Sequence, residues 1–138
     1  MPTFRHRIPP VLTPYLRSCI GYEYCAEPTV MHHGLPSPGI TAIIAFDAPL
    51  DCAWMDDADR ARFDTLLAGL HTAPTLIRTH GRQHGIHLSL TPLGVRALFA
   101  APAGAFAHTL IDGDDASRIP SALQRRLQDA TWPDRFRM

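Results

Sequence analysis

Histidine is the residue type in this chain best suited to chemistry near neutral pH, as acid, base or metal ligand. There are eight: His6, His32, His33, His71, His80, His84, His87 and His108. A metal centre would need several of them converging from neighbouring strands. The run of a His-x-His pair with a Glu soon after, which would announce such a centre, does not occur. His84 and His87 are spaced i, i+3, and in an extended chain that sends them to opposite faces. The sequence therefore assigns no metal ligand and no cofactor. His87 alone, on the non-core side of its strand, is a candidate to line a pocket.

Other reactive types carry weaker signals. Ser89 and Cys25 lack the Gly-x-Ser-x-Gly elbow or any comparable signature of a nucleophile, so no catalytic residue is assigned and no enzyme is expected. Paired carboxylates occur only in "MDDAD" and "DGDD". Both runs are polar and loop-like, whereas acid–base work needs one carboxyl desolvated. Neither has the ligand spacing and glycine of a calcium loop. Gly81, Gly85 and Gly94 do not form a phosphate-binding fingerprint. Arg118, Arg125, Arg126, Arg135 and Arg137 give the C-terminal stretch a mild basic excess, but no second helix follows to complete a DNA-reading pair. Direct DNA binding by this chain is not expected.

The elements that position these residues read as strands first and helices last. Residues 1–18, rich in Pro and Arg, read as an irregular arm. Residues 19–90 form the β-rich part and 91–138 the helical part of one domain. "CIGYEYCAE" alternates at Ile20, Tyr22 and Tyr24, as a strand with one aromatic face does. A short strand is read at Thr29–His32. "ITAIIAFDAPL" reads as a buried strand and the Asp-rich stretch after it as an exposed loop or hairpin tip; "FDTLLAGLH" fits a strand or a short helix, with Gly69 and the nearby Pro74 favouring the strand. "TLIRTHGRQHGIHLSL" reads as two strands joined in a hairpin around His80-Gly81-Arg82. In its second strand Ile86, Leu88 and Leu90 share one face, with His87 and Ser89 on the other.

The period then changes. Thr91 can cap a helix and Pro92 fits its first turn. Leu93, Ala97 and Leu98, with Val95 and Phe99 nearby, suit a short helix packed on several sides. "TLIDGDDASRIP" reads as a polar connector. "SALQRRLQDA" reads as a helix capped by Ser121, with Leu123, Leu127 and Ala130 on one face. The fold class that follows is α+β: a mostly antiparallel sheet or cupin-like barrel, then C-terminal helices.

Bulk properties fit one globular domain. The chain has 138 residues, 46% hydrophobic, with a formal net charge of zero, so nothing points to nucleic acid or an acidic surface. All 13 basic residues are arginine. The 13 prolines favour short strands and turns over long helices. Cys19, Cys25 and Cys52 form no CxxC pair and suit reduced thiols. There is no apolar signal segment and no run long enough to span a bilayer, so a cytoplasmic protein with no membrane partner is expected.

The segments "GYEYCAEPTVMHHGLPSPGITAIIAFDAPL", "LLAGLHTAPTLIRTHGRQHGIHLSLTPLGVRALFAAPAG" and "LQRRLQDATWPDRF", in that order, resemble the N-terminal sensor domain of AraC-family transcriptional regulators, in their actinobacterial subgroup. The resemblance runs from about Leu16 to Phe136 and is most specific at "LTPLGVRALF". It implies a β-rich domain that senses a small-molecule effector or mediates homodimerisation, joined to helix-turn-helix units; this chain is expected to lack that DNA-binding half. His87 departs from the family pattern, where an uncharged polar residue is expected. Tyr22, Tyr24, His71 and His87 are the candidate ligand-binding residues, because strand alternation can turn them inward with polar tips. Leu123 and Leu127 are candidates for a dimer or packing helix. Two further readings stay open: a small cupin-like metal-dependent enzyme, and a stand-alone protein that pairs with full-length regulators.

Overall fold

The computed structural model describes residues 3–27, 31–54, 60–78, 81–113 and 119–138. Along them run ten strands, all paired antiparallel, and three short helices. In chain order the elements are β1 (Thr3–His6), β2 (Leu16–Cys25), β3 (Met31–Gly34), β4 (Ile40–Ala45), β5 (Leu50–Ala53), β6 (Ala61–Phe63), β7 (Thr65–Ala68), β8 (Thr75–Arg78), β9 (Arg82–Leu90), α1 (Pro92–Phe99), β10 (Leu110–Asp112), α2 (Ser121–Asp129) and α3 (Trp132–Arg135). The first sheet has the order β1-β2-β9-β4-β7-β10, the second β3-β8-β5-β6. The fold is α+β and mostly antiparallel. Of the two architectures the sequence allows, it is the open one: no hydrogen bonds close the sheets into a barrel among the described residues.

The first sheet is a middle layer with both faces covered. On its outer face Ile40, Ala42 and Ile44 of β4, Leu67 of β7, and Ile86 and Leu90 of β9 form the main core with Val95, Ile119 and Leu127 from the helical side. On its inner face Leu66 and Ala68 of β7 pack with Leu50 and Cys52 of β5 and with Phe63. Burial on both faces explains why β4 reads as a continuous apolar run rather than an alternating one.

Period-2 patterning places β9 as expected. Ile86, Leu88 and Leu90 turn outward, and His87 and Ser89 turn inward. The switch into α1 also matches. Thr91 Oγ1 accepts a hydrogen bond from Gly94 N at 3.0 Å, and Pro92 occupies the first turn. Thr91 also donates its hydroxyl to the Pro14 carbonyl at 2.6 Å, tying the helix start to the segment before β2. Such a cap contributes about 1 kcal/mol.

Several expectations are corrected. The first 18 residues are not an irregular arm throughout, because β1 pairs with β2 from Thr3↔Tyr22 to His6↔Cys19. β3 overlaps the strand expected at Thr29–His32 and runs on to Gly34; positions 28–30 lie outside the described residues, as do residues 55–59 of the Asp-rich stretch. β8 and β9 follow each other in sequence but do not form a hairpin. β8 pairs with β3 and β5 in the second sheet, whereas β9 pairs with β2 and β4 in the first. Gly81, with φ of 70°, stands where the chain passes between the sheets. The polar connector contains β10, which pairs with β7. In α1 Val95 is buried and Leu98 and Phe99 pack against the main core, whereas Leu93, at 50% exposed, and Ala97 face out, so the helix is packed on one side and not on several. Pro120, not Ser121, precedes α2, and no side-chain cap forms there. Leu127 is buried and Leu123 half-buried against the main core. Both therefore pack within this chain.

A candidate ligand cavity between the sheets

Where the second sheet stands away from the first, the space between them is hollow. The cavity measures about 510 Å³, within the range of small-molecule pockets. Its floor is the inner face of the first sheet: Ser18, Tyr22 and Tyr24 of β2, Gln83, His87 and Ser89 of β9, Thr41 and Ile43 of β4, and Leu66 and Ala68 of β7. Its roof comes from Leu50, Thr75 and Ile77 of the second sheet. His32, Leu35 and Ser37, all exposed, stand at its open side, and His71 closes it beyond β7.

Backbone pairing explains the convergence. Ile43 lies in register with Leu66 on one side and His87 on the other, at the centre of the floor. A register irregularity between Leu16 and Ser18 sends Leu16 to the outer core and leaves Ser18 facing inward. Tyr22 pairs with Gly85. A Cβ on Gly85 would stand 2.6 Å from the Tyr22 hydroxyl, so only glycine lets the phenol lie across β9. The same device recurs on the other face, where a Cβ on Gly21 would strike the Trp132 ring at 2.1 Å.

The four ligand-binding candidates named by the sequence, Tyr22, Tyr24, His71 and His87, all line this one cavity. Burial raises the Tyr22 phenol far above the ordinary tyrosine value, and the neighbouring Tyr24 and Cys52 push the same way. Tyr24 is raised by burial too. Burial lowers the His87 imidazole below its usual range, so it is neutral at pH 7. His71 Nδ1 lies 2.8 Å from the Gly69 carbonyl. A carbonyl only accepts, so Nδ1 carries a proton and donates it to Gly69. Neither His71 Nε2 nor His87 Nδ1 has a hydrogen-bond partner among the described residues. Gln83, Thr41 and the roof residues are not singled out in the sequence, because their convergence depends on pairings between distant strands; Ser89 is placed there on the His87 face but not named for binding.

The opposite face of β9 carries a different cluster. His84 is buried beside Phe46 and Trp132, with ring centroids at 5.0 and 5.7 Å. Arg135 Nη1 lies 3.0 Å from His84 Nε2. An arginine only donates, so Nε2 accepts, and the ring's other nitrogen lies 3.3 Å from Asp47 Oδ2. Arg135 also donates to the Leu127 and Gln128 carbonyls at 2.7 and 3.1 Å, and its guanidinium stacks over Phe46 and Trp132, each at 4.5 Å. This is an anchor: it binds the end of α2 and all of α3 to the outer face of the first sheet. A second tie runs from Gln124 Nε2 to the Ala45 carbonyl at 2.7 Å. Arg135 reads in the sequence only as part of a mild basic excess; in the fold it is 8% exposed.

Among the described residues, no group of three or more His, Cys, Asp or Glu side chains is placed to share a metal ion, and no helix is long and apolar enough to cross a membrane. Comparisons of the chain with protein-family models, with curated proteins and with solved structures find no match.

Proposed function

We propose that this chain is a small-molecule-sensing unit of the kind that AraC-type regulators carry. The observation that carries the reading is the inter-sheet cavity of about 510 Å³, whose wall includes Tyr22, Tyr24, His71 and His87. β9 supplies the coupling. Its inward side chains, Gln83, His87 and Ser89, line the cavity, while its outward ones, His84, Ile86 and Leu88, meet the layer that holds α2 and α3. A ligand that favours one position of β9 thereby favours one position of the helices, and differential affinity for the two arrangements sets the size of the response.

The test is a fragment screen by ¹H–¹⁵N NMR, with anionic, cationic and neutral fragments in separate pools. The reading expects at least one pool to shift the amides of Tyr22, Tyr24 and His87, with smaller shifts reaching Leu127 and Arg135. Shifts that never touch the cavity residues, in any pool, would contradict it.

A further inference from the structure

Resting on that reading, we infer that the cavity takes an uncharged ligand with an apolar body and a neutral head that both donates and accepts hydrogen bonds, as a carboxamide does, and that this head sits on a row of three hydroxyls, Ser18, Ser89 and Thr41. The row follows from the register of the first sheet. Ser89 of β9 pairs with Ser18 of β2 on one side and with Thr41 of β4 on the other, and all three line the cavity. Residues directly opposite each other on one face hold their Cβ atoms about 5 Å apart. A planar head with a donor and an acceptor on one carbon therefore bridges two neighbouring hydroxyls of the row.

The hydroxyls are open to the cavity. Each of the three residues is partly exposed, and among the described residues none of the three side chains has a hydrogen-bond partner. Gly39 keeps the central one clear, since a Cβ there would stand 2.8 Å from Ser89 Oγ. A hydroxyl gives a proton and also accepts through its lone pairs. An amide answers both functions, whereas a carboxylate only accepts and an amidinium only donates.

Charge points the same way. Among the described residues that line the cavity there is no Asp, Glu, Lys or Arg. Burial keeps the Tyr22 and Tyr24 phenols protonated and the His87 ring neutral. An ion brought here would leave water without gaining a partner of opposite charge, which is strongly unfavourable. The rest of the wall sets the body of the ligand. Ile43 and Leu66 continue the floor beyond the row, and Leu50 and Ile77 face them from the roof. An apolar cavity of about 150 Å³ holds a benzene, so a space of about 510 Å³ admits a substituted ring with its head in place.

The experiment titrates the whole chain with 4-propylbenzamide, 4-propylacetophenone, 4-propylbenzoate and 4-propylbenzamidinium, followed by NMR at the amides of Ser18, Thr41 and Ser89. The four share one body, and their heads are in turn a neutral donor and acceptor, a neutral acceptor, an anion and a cation. The benzamide is expected to bind at the row. The ketone should bind about fivefold more weakly, and each ion at least about tenfold more weakly. Ser89→Ala removes one partly exposed oxygen and should weaken the benzamide about fivefold, with circular dichroism confirming the fold. Benzoate or benzamidinium binding as tightly as the benzamide overturns the inference. So does equal binding of benzamide and ketone, or a Ser89→Ala chain that keeps full affinity for the benzamide. In each of these cases a ligand still occupies the cavity and the sensing reading survives. A benzamide that shifts no cavity residue also overturns the inference; the sensing reading falls with it only if the wider fragment screen is silent there too.

Discussion

Arg135→Met tests the anchor that joins the C-terminal helices to the sheet. Met is unbranched and apolar, so it keeps part of the contact with Phe46 and Trp132 while removing all three hydrogen bonds. Two of those bonds, to the Leu127 carbonyl and to His84 Nε2, are buried, and the third, to Gln128, is part-buried. A buried acceptor left unpaired costs about 1–3 kcal/mol, and each lost cation–π contact adds about 0.5–2 kcal/mol. Relief of the desolvated guanidinium offsets part of this. The net expectation is a loss of about 2–4 kcal/mol. Urea unfolding followed by tryptophan fluorescence reads it directly, since Trp132 stacks on the guanidinium. The slope with urea should stay constant, so that the midpoint carries the change. A variant within about 0.5 kcal/mol of wild type would show that the helices are held by apolar packing alone.

Gly94→Ala should destabilise the joint between β9 and α1, because a Cβ there would stand 2.1 Å from the Tyr15 carbonyl oxygen; an unchanged thermal midpoint contradicts this. Thr91→Ala removes the cap and the bond to Pro14 and should cost about 1 kcal/mol, measured by urea unfolding. Stability should fall on acidification. Burial, with Arg135 beside it, lowers His84, and burial lowers His87. The unfolded chain therefore takes up protons first, and stability is lost as pH drops from about 6.5, by at most about 1.4 kcal/mol per pH unit for each histidine. His84→Gln should flatten part of that slope; a profile level from pH 7 to 5 would refute the assignment. Among the thiols, exposed Cys25 should label with a thiol reagent well before Cys52, whose thiol burial pushes up to about 12; equal rates would contradict the burial of β5.

Much of the fold is legible where the signal is local. The alternation of β9 and the Thr91-Pro92 helix start depend on residues within a few positions of one another, whereas "FDTLLAGLH" fits strand or helix until β7 is seen paired. What is not legible is partnership. A Gly-containing turn between two strands says hairpin, but nothing near Gly81 tells which sheet each strand joins. β10 is three residues in a polar run and exists because β7 offers it an edge. The cavity is partly readable, since alternation singles out Tyr22, Tyr24 and His87. The roof is not, because β5 and β8 reach it through another sheet. Arg135 is the clearest failure: its histidine partner lies 51 positions away, and a helix-terminal arginine ordinarily faces water.

The central claim is that a small molecule binds between the sheets, and Ile43→Trp tests it most directly. Ile43 is the centre of the cavity floor, and tryptophan suits a strand while filling the space above it. With circular dichroism and thermal unfolding confirming that the variant folds, the strongest fragment found for the wild-type chain is titrated into both proteins. The cavity account predicts at least a tenfold loss of affinity, about 1.4 kcal/mol, in the filled variant. Undiminished binding would place the ligand elsewhere and contradict it.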